Sequence, residues 1–167
     1  NQCPQQDGIV LYHYMGCGKT HTAVGLVENY ATPTVVLAPK GLLGMWRNEY
    51  VKEYGSVLPK DVTCYSYDAF WDAMDNKTDA WRQNRVLVVD EAHNLSQWLS
   101  SRLPVHRRTP CLKKLFQFRK RVLLTGTPIY WSERDLAFLV NVCRGEAVIP
   151  IDPNMFRQKY YKVCLLY

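Results

Sequence analysis

Long apolar runs are missing from this sequence. The longest stretches, such as residues 86–89 and 122–124, are strand-sized and far short of the roughly 20 residues that a helix needs to span a bilayer. We therefore expect no membrane segment. The first residues also lack a basic segment followed by an apolar one, so no secretory signal is expected. The chain begins with Asn1 rather than Met, so it could be part of a longer protein.

The sequence also lacks cysteines and histidines at the spacing of a metal site. The six cysteines form no CxxC pair and have no histidine at the distance of a zinc site, which argues against bound zinc and favours reduced thiols in an intracellular protein, nuclear or cytoplasmic. These cysteines are Cys3, Cys17, Cys64, Cys111, Cys143 and Cys164. The sequence contains no internal repeat and no low-complexity tract.

Acidic residues are the scarcer charge. Fifteen Asp and Glu stand against 21 Lys and Arg, a formal net charge of +6. Such a balance favours a polyanionic partner, of which nucleic acid is the obvious candidate, although charge alone speaks only to nonspecific attraction.

Strand-like and helix-like segments alternate along the chain. With 167 residues, 47% of them hydrophobic, it is sized for one domain with one core. Apolar, strand-length runs occur at 8–13, 34–38, 62–65, 85–89 and 121–124, while 19–30 and 42–54 have helical periodicity. Ser132 followed by Asp135 resembles a capping box that starts a further helix, which continues through Val142. The alternation predicts an α/β fold with a mostly parallel sheet and helices on both faces.

The strongest local motif follows the first predicted strand. Residues 13–20 read HYMGCGKT and open a helix, where glycines allow backbone N–H groups to converge on phosphate oxygens. Lys19 would reach the β and γ phosphates of ATP and the Thr20 hydroxyl would bind Mg²⁺. The motif departs from GxxxxGK[ST] because His13 stands at the first glycine. The residues predicted to surround the nucleotide are Met15, Gly16, Cys17, Gly18, Lys19 and Thr20.

Two acids follow the strand at 85–89. Ligand sites in open α/β sheets lie at the carboxyl ends of strands, so we expect Asp90 and Glu91 to face the same nucleotide. Asp90 can bind Mg²⁺, and Glu91 can orient and deprotonate the attacking water. The alternative is that these acids only cap the next helix.

Hydroxyl groups follow the last predicted strand, in Thr125-Gly126-Thr127-Pro128. At the same edge, Thr125 and Thr127 can hydrogen-bond the acids or His93 and so report the state of the nucleotide. Read alone, the segment is a strand-ending turn.

GCGKT, DEAH and TGTPI, in this order, resemble motifs I, II and III of superfamily 2 helicases and translocases. Val35 to Lys40 resembles motif Ia, and Tyr65-Ser66-Tyr67 the next short motif, so the resemblance extends from about Leu11 to Val142. The LTGTPI form is most similar to duplex-DNA translocases of the Swi/Snf type and to helicase-related ATPases of large DNA viruses. It favours DNA over RNA as the partner, with RNA as the alternative. If the protein is viral, the resemblance adds the virion to the expected locations.

The resemblance implies a RecA-like P-loop domain covering residues 1–167, the first of two lobes, with about 143–167 leading towards the second. The second lobe would supply an arginine finger, worth about 10³ to 10⁵ in rate, so this chain alone should bind ATP and Mg²⁺ but hydrolyse ATP poorly. It also implies that His93 couples hydrolysis to strand movement and that Pro39 and Lys40 contact the nucleic-acid backbone. The adenine-recognising Gln expected upstream is missing, since Gln5 and Gln6 are too close to the phosphate loop.

The sequence leaves several alternatives open. Residues 102–121 carry eight Lys or Arg and no acid, which is typical either of a surface that follows a phosphate backbone or of a solvated helix face. Trp46, Trp71, Trp81 and Trp98 are expected to pack in the core or at the lobe edge rather than stack on bases. The first competing function is a nucleic-acid-binding or regulatory module that holds ATP without hydrolysing it, and the intact Glu91 argues against it. The second is a P-loop kinase or metabolic ATPase, which the combination of DEAH and TGTP disfavours.

Overall fold

The computed structural model of the chain describes residues 7–14, 16–55, 59, 61–127, 133–150 and 153–156. Five strands form one sheet: β1 (Gly8–Tyr12), β2 (Thr34–Leu37), β3 (Val62–Tyr65), β4 (Val86–Val89) and β5 (Lys120–Thr125). Their order is β1-β5-β4-β2-β3 and each neighbouring pair is parallel. The predicted α/β fold with a parallel sheet is confirmed, and the strands differ from the predicted runs by at most one residue at either end.

Helices connect the strands in chain order. They are α1 (Lys19–Tyr30), a 3₁₀ turn (Lys40–Leu42), α2 (Leu43–Tyr54), α3 (Tyr67–Asp75), α4 (Asp79–Gln83), α5 (Ala92–Arg102), α6 (Val105–Phe116), α7 (Glu133–Arg144) and α8 (Pro153–Phe156). The predicted helix near Val142 is α7, which continues to Arg144; Ser132 of the predicted capping box lies outside the described residues. No helix among the described residues is long and apolar enough to cross a membrane.

Alternate residues of the central strands supply two separate cores. On β2, Val35 and Leu37 belong to one buried cluster and Val36 to the other, as the two-residue period of a strand requires. One cluster packs against α1 and α2, and the other against α3, α5, α6 and α7. Both faces of the sheet are therefore covered, which explains why a central strand such as β4 is apolar and buried at all four of its positions.

Candidate nucleotide site

Three polar segments meet at the carboxyl edge of the sheet. Residues 13–20 follow β1, Asp90 and Glu91 follow β4, and Thr125 ends β5. These three strands are neighbours, in the order β1-β5-β4. The backbone N–H of His13 donates to the Thr125 carbonyl at 3.3 Å, so the first and third segments are also joined directly.

The loop before α1 depends on its glycines for backbone conformation. Gly16 has φ of 80° and Gly18 has φ of 75°, values that residues with a Cβ rarely adopt. A Cβ on Gly16 would meet nothing within 4 Å, so the requirement is conformational rather than steric. The loop therefore presents the open N-terminus of a 12-residue helix, a favourable place for phosphate. Met15 of the predicted loop lies outside the described residues.

Lys19 is buried at the base of this loop, with 8% of its surface exposed. Its Nζ donates to the carbonyl of His13 at 3.2 Å and lies 3.9 Å from Oε1 of Glu91. The contact with His13 uses the backbone of that residue only. This explains how a histidine can stand at the first glycine of the motif without altering the role of the position.

Asp90 lies at the end of β4 with 4% of its surface exposed. Its Oδ2 accepts a hydrogen bond from the indole Nε1 of Trp46 at 2.8 Å, and its Oδ1 accepts one from the backbone N–H of Glu91 at 2.9 Å. Burial raises the pKa of Asp90 above its ordinary value, and the Trp46 hydrogen bond opposes that rise. Both carboxylate oxygens are thus held in place before any ligand arrives.

Glu91 adopts a left-handed backbone conformation, with φ of 48° and ψ of 52°, which is uncommon for a residue other than glycine. The hydroxyl of Tyr67 lies beside this strained peptide, 2.6 Å from the carbonyl oxygen of Asp90 and 3.0 Å from that of Glu91. Burial, together with the Asp90 and Glu91 carboxylates, raises the pKa of Tyr67 far above its ordinary value. The phenol therefore keeps its proton and acts as the donor.

His93 connects the acids to the end of β5. Its Nδ1 shares a hydrogen bond with Oγ1 of Thr125 at 3.0 Å and lies 3.5 Å from Oε2 of Glu91. The Thr125 hydroxyl also accepts the backbone N–H of Thr127 at 3.1 Å. Burial lowers the pKa of His93, against the opposing effect of Glu91, so the ring is neutral at neutral pH.

A cavity of about 350 Å³ opens between these segments and α2. It is lined by Gly16, Gly18, Lys19, Thr20, His21, Leu42, Met45, Glu49, Asp90 and Glu91. Ammonium, hydroxyl and carboxylate groups at one place fit the phosphates of a nucleotide and a magnesium ion, which prefers carboxylate and phosphate oxygens. The residues from α2 were not predicted, and neither was the Trp46 hydrogen bond.

A second cavity, of about 330 Å³, lies beside the acids on the other side of the sheet edge. We call it the groove, and its lining residues are Pro39, Lys40, Tyr67, Asn94, Gln97, Trp98 and Ser101. Pro39 and Lys40 were the two residues predicted to contact nucleic acid, and the structure places both on this surface.

The basic stretch at 102–121 does not form one continuous charged surface. Lys114 and Arg107 pair with Asp75, and Arg108 and Arg121 donate to backbone carbonyls. Much of its charge therefore stabilises the fold at the end of α5, along α6 and at the start of β5. Of the tryptophans predicted to pack rather than stack on bases, Trp46 and Trp71 are buried, and Trp81 and Trp98 are partly buried against the core.

A protein family matches most of the chain. A family described as the SNF2-related domain matches residues 55–163, well over half of the chain. The matched range contains both acids, His93 and the Thr125 segment, whereas the phosphate loop lies before it.

Individual relatives cover nearly all of the chain. A protein of Acanthamoeba polyphaga mimivirus that carries the name of an ATP-dependent RNA helicase is 29% identical over 154 residues, which cover 92% of this chain and 33% of that protein. A second mimivirus protein with such a name is 25% identical and covers 88% of this chain and 31% of its own length. Chromodomain-helicase-DNA-binding protein 1-like of Mus musculus is 29% identical over 187 residues, 95% of this chain and 20% of that protein. This chain thus spans about a third or less of each of these relatives.

The fold is shared with the Sulfolobus solfataricus SWI2/SNF2 ATPase core, whose structure was solved in complex with dsDNA. The TM-score is 0.63 at 23% sequence identity, and the match covers 93% of this chain and 35% of the archaeal one.

Proposed function

This chain belongs to the SNF2-related domain family, and from that premise we propose that it is the ATP-binding lobe of a nucleic-acid-dependent ATPase that acts as a DNA helicase or translocase. The observation that carries the proposal is the convergence of Lys19, Asp90 and Glu91 on one cavity, with 3.9 Å between the Lys19 ammonium and the Glu91 carboxylate. That arrangement suits phosphoryl transfer better than a simple binding pocket.

Each residue has a distinct part in binding MgATP. The loop at Gly16–Gly18 and the N-terminus of α1 would hold the phosphates, and Lys19 would neutralise the β and γ phosphates. Thr20 and Asp90 would hold Mg²⁺, which, when bound, neutralises charge on the phosphate oxygens. The hydrogen bonds from Trp46 and from the Glu91 backbone orient Asp90 for that task.

Glu91 would act as the general base. The oxygen of a water attacks the γ phosphorus, the bond from that phosphorus to the bridging oxygen of ADP breaks, and the water proton passes to the Glu91 carboxylate, giving ADP and phosphate. Lys19 lies close enough to stabilise the negative charge that develops on the transferred group.

His93 and Thr125 would link this chemistry to movement of the lobe. Their hydrogen bond at 3.0 Å, with Thr127 attached through its N–H, ties the general base to the end of β5. A change in charge at Glu91 on hydrolysis would therefore alter the hydrogen bonds of the Thr125 segment.

DNA is the preferred polymer in this proposal. The family assignment, the TGTPI form of the third motif, the net charge of +6 and a groove lined by Pro39 and Lys40 support a phosphate backbone as partner. RNA is the alternative substrate, favoured by the names of the two mimivirus relatives.

A second RecA-like lobe is a further part of the proposal. The chain spans about a third or less of its relatives, which leaves room for a lobe that closes over the nucleotide. We propose that residues 1–167 form the first lobe and that about 143–167 lead towards the second.

The polymer assignment is tested by measuring steady-state ATP hydrolysis by the full-length protein with duplex DNA, single-stranded DNA and RNA at equal nucleotide concentration and two salt concentrations. We expect duplex DNA to stimulate most, and stimulation to weaken with salt as phosphate contacts are screened. Stimulation by RNA alone would replace DNA with RNA, and no stimulation by any polymer would leave an ATP-binding module.

A further inference from the structure

Tyr67 belongs to two sites at once. Its side chain lines the groove together with Pro39 and Lys40, while its hydroxyl contacts the backbone carbonyls of Asp90 and Glu91 at 2.6 and 3.0 Å. The residue is buried, with 8% of its surface exposed. It is therefore a direct connection between a surface cavity and the peptide that carries the proposed general base.

The orientation of the peptide that Tyr67 contacts determines where the Glu91 carboxylate lies. Glu91 is in the left-handed region, with φ of 48°, a conformation that persists only where surrounding contacts maintain it. Its carboxylate faces Lys19 and His93. A small rotation of the backbone at this residue would move that carboxylate relative to the attacking water, and positional changes of this kind alter rates strongly.

Side chains of α5 also line the groove. Asn94, Gln97 and Ser101 are spaced on one face of α5, the helix for which Glu91 is the N-cap residue. With Lys40 as the cation and two amides and a hydroxyl as hydrogen-bonding groups, this lining matches the chemistry of a sugar-phosphate backbone. An occupant of the groove would contact both Tyr67 and the helix that begins directly after Glu91.

We propose that Tyr67 is the positioning residue through which a nucleic-acid backbone bound in the groove acts on Glu91. The proposal rests on the proposed function and adds to it how the polymer stimulates hydrolysis. The polymer holds the Tyr67 ring and α5 in place, and the Tyr67 hydroxyl then holds the Glu91 peptide in its productive orientation. Trp46 holds the Asp90 carboxylate from the other face of the sheet and does not line the groove, so this orienting hydrogen bond of the metal-binding residue does not pass through Tyr67.

The test is Tyr67→Phe in the full-length protein, which removes only the hydroxyl. ATP hydrolysis is titrated with duplex DNA, or with the polymer that stimulates the wild-type protein most, and the stimulation ratio is the plateau rate divided by the rate without polymer. We expect this ratio to fall by roughly tenfold, the effect of losing one hydrogen bond that orients the general base. The polymer concentration at half-maximal stimulation should stay within about twofold, since the ring still lines the groove.

Two further variants distinguish positioning from binding and from general damage. Tyr65→Phe removes a nearby hydroxyl that makes no hydrogen bond to the described residues, and it should keep the wild-type ratio. Lys40→Gln should raise the half-maximal polymer concentration and leave the plateau in place, since phosphate contacts act on affinity.

Affinity for a fluorescent ATP analogue, measured on the Tyr67→Phe protein, shows whether its site is still folded. Wild-type affinity with a lowered ratio supports the proposal. An unchanged ratio in Tyr67→Phe, with normal stimulation of the wild type, overturns this inference alone. Absence of stimulation in the wild-type protein overturns the proposed function and this inference together.

Discussion

The indole Nε1 of Trp46 donates a hydrogen bond of 2.8 Å to Oδ2 of Asp90, across 44 residues of sequence. Trp46 is fully buried in the core cluster on the α1 and α2 side of the sheet, whereas Tyr67, which holds the backbone of the same acids, belongs to the cluster on the other side. The acidic pair at the end of β4 is thus held from both faces of the sheet, by its side chain on one and by its backbone on the other.

Trp46→Phe removes the donor and should weaken the part of nucleotide affinity that depends on Mg²⁺. The partners that orient metal ligands typically contribute about 10- to 100-fold to metal affinity, so the ratio of ADP affinities with and without Mg²⁺ should fall by about tenfold or more. Fluorescent ADP titrations of the full-length protein, with Mg²⁺ and with EDTA, measure this ratio.

Trp71→Phe is the matched control for that experiment. Trp71 is also buried, and its Nε1 has no hydrogen-bond partner among the described residues. The control therefore loses similar core volume and should keep the wild-type Mg²⁺ ratio. Equal ratios in both variants would show that the Trp46 hydrogen bond does not orient Asp90.

The burial of His93 should make the fold less stable in acid. Burial is the main reason that its pKa lies below the ordinary value of 6.5, so between these two pKa values the unfolded chain binds more protons than the folded one. The free energy of unfolding should therefore fall as pH decreases below about 6.5, by at most about 1.4 kcal/mol per pH unit for one group. Urea denaturation from pH 7.5 to 5 measures it.

The comparison for this prediction is His93→Gln, which keeps a polar side chain but does not titrate. The free energy of unfolding of this variant should fall less steeply over the same pH range. The difference in free energy of unfolding between wild type and variant should therefore shrink as pH decreases. A difference that stays constant or widens in acid would show that His93 is not the group responsible.

The five strands could be predicted because each is a run of β-branched and other apolar residues, and the site could be predicted in outline because residues 16–20 and Asp90 each follow a strand. The helix α3 was missed, although its buried residues Tyr67, Phe70, Trp71 and Met74 have helical spacing and Ser66 caps it. Its signal was present in the pattern.

The hydrogen bonds of Trp46 and Tyr67 had no such signal. Each joins residues far apart in sequence, and each exists only because β2 lies between β3 and β4 in the sheet, which places the segments after all three strands at one edge. Strand order is a tertiary property, and local periodicity does not encode it.

Asp75 illustrates the modest value of surface charge in this fold. The hydrogen bond from Lys114 lowers the pKa of its carboxyl, with Arg107 contributing further. Asp75→Asn should therefore reduce the free energy of unfolding at pH 7, but by less than about 1 kcal/mol because the group is half-exposed and screened by water. Urea denaturation at low and high salt tests this.

The lowered pKa of Asp75 sets how the stabilisation by its ion pair depends on pH. Because the folded pKa lies below the unfolded one, the stabilisation is complete above the unfolded pKa and is lost as pH falls through the folded one. Wild type and Asp75→Asn should converge in strong acid and in high salt. Asp72→Asn, on the same helix and exposed, is the control, and an equal effect from it would refute a role for the ion pair.

Glu91→Gln in the full-length protein, assayed for MgATP binding and for hydrolysis at saturating duplex DNA, tests the assignment of the general base. We expect binding to stay within a few-fold of wild type while stimulated hydrolysis falls by about 100-fold or more, the lower end of what a positioned general base contributes. Stimulated hydrolysis at the wild-type rate in Glu91→Gln would contradict the assignment of this residue as the base and, with it, the proposed catalytic site.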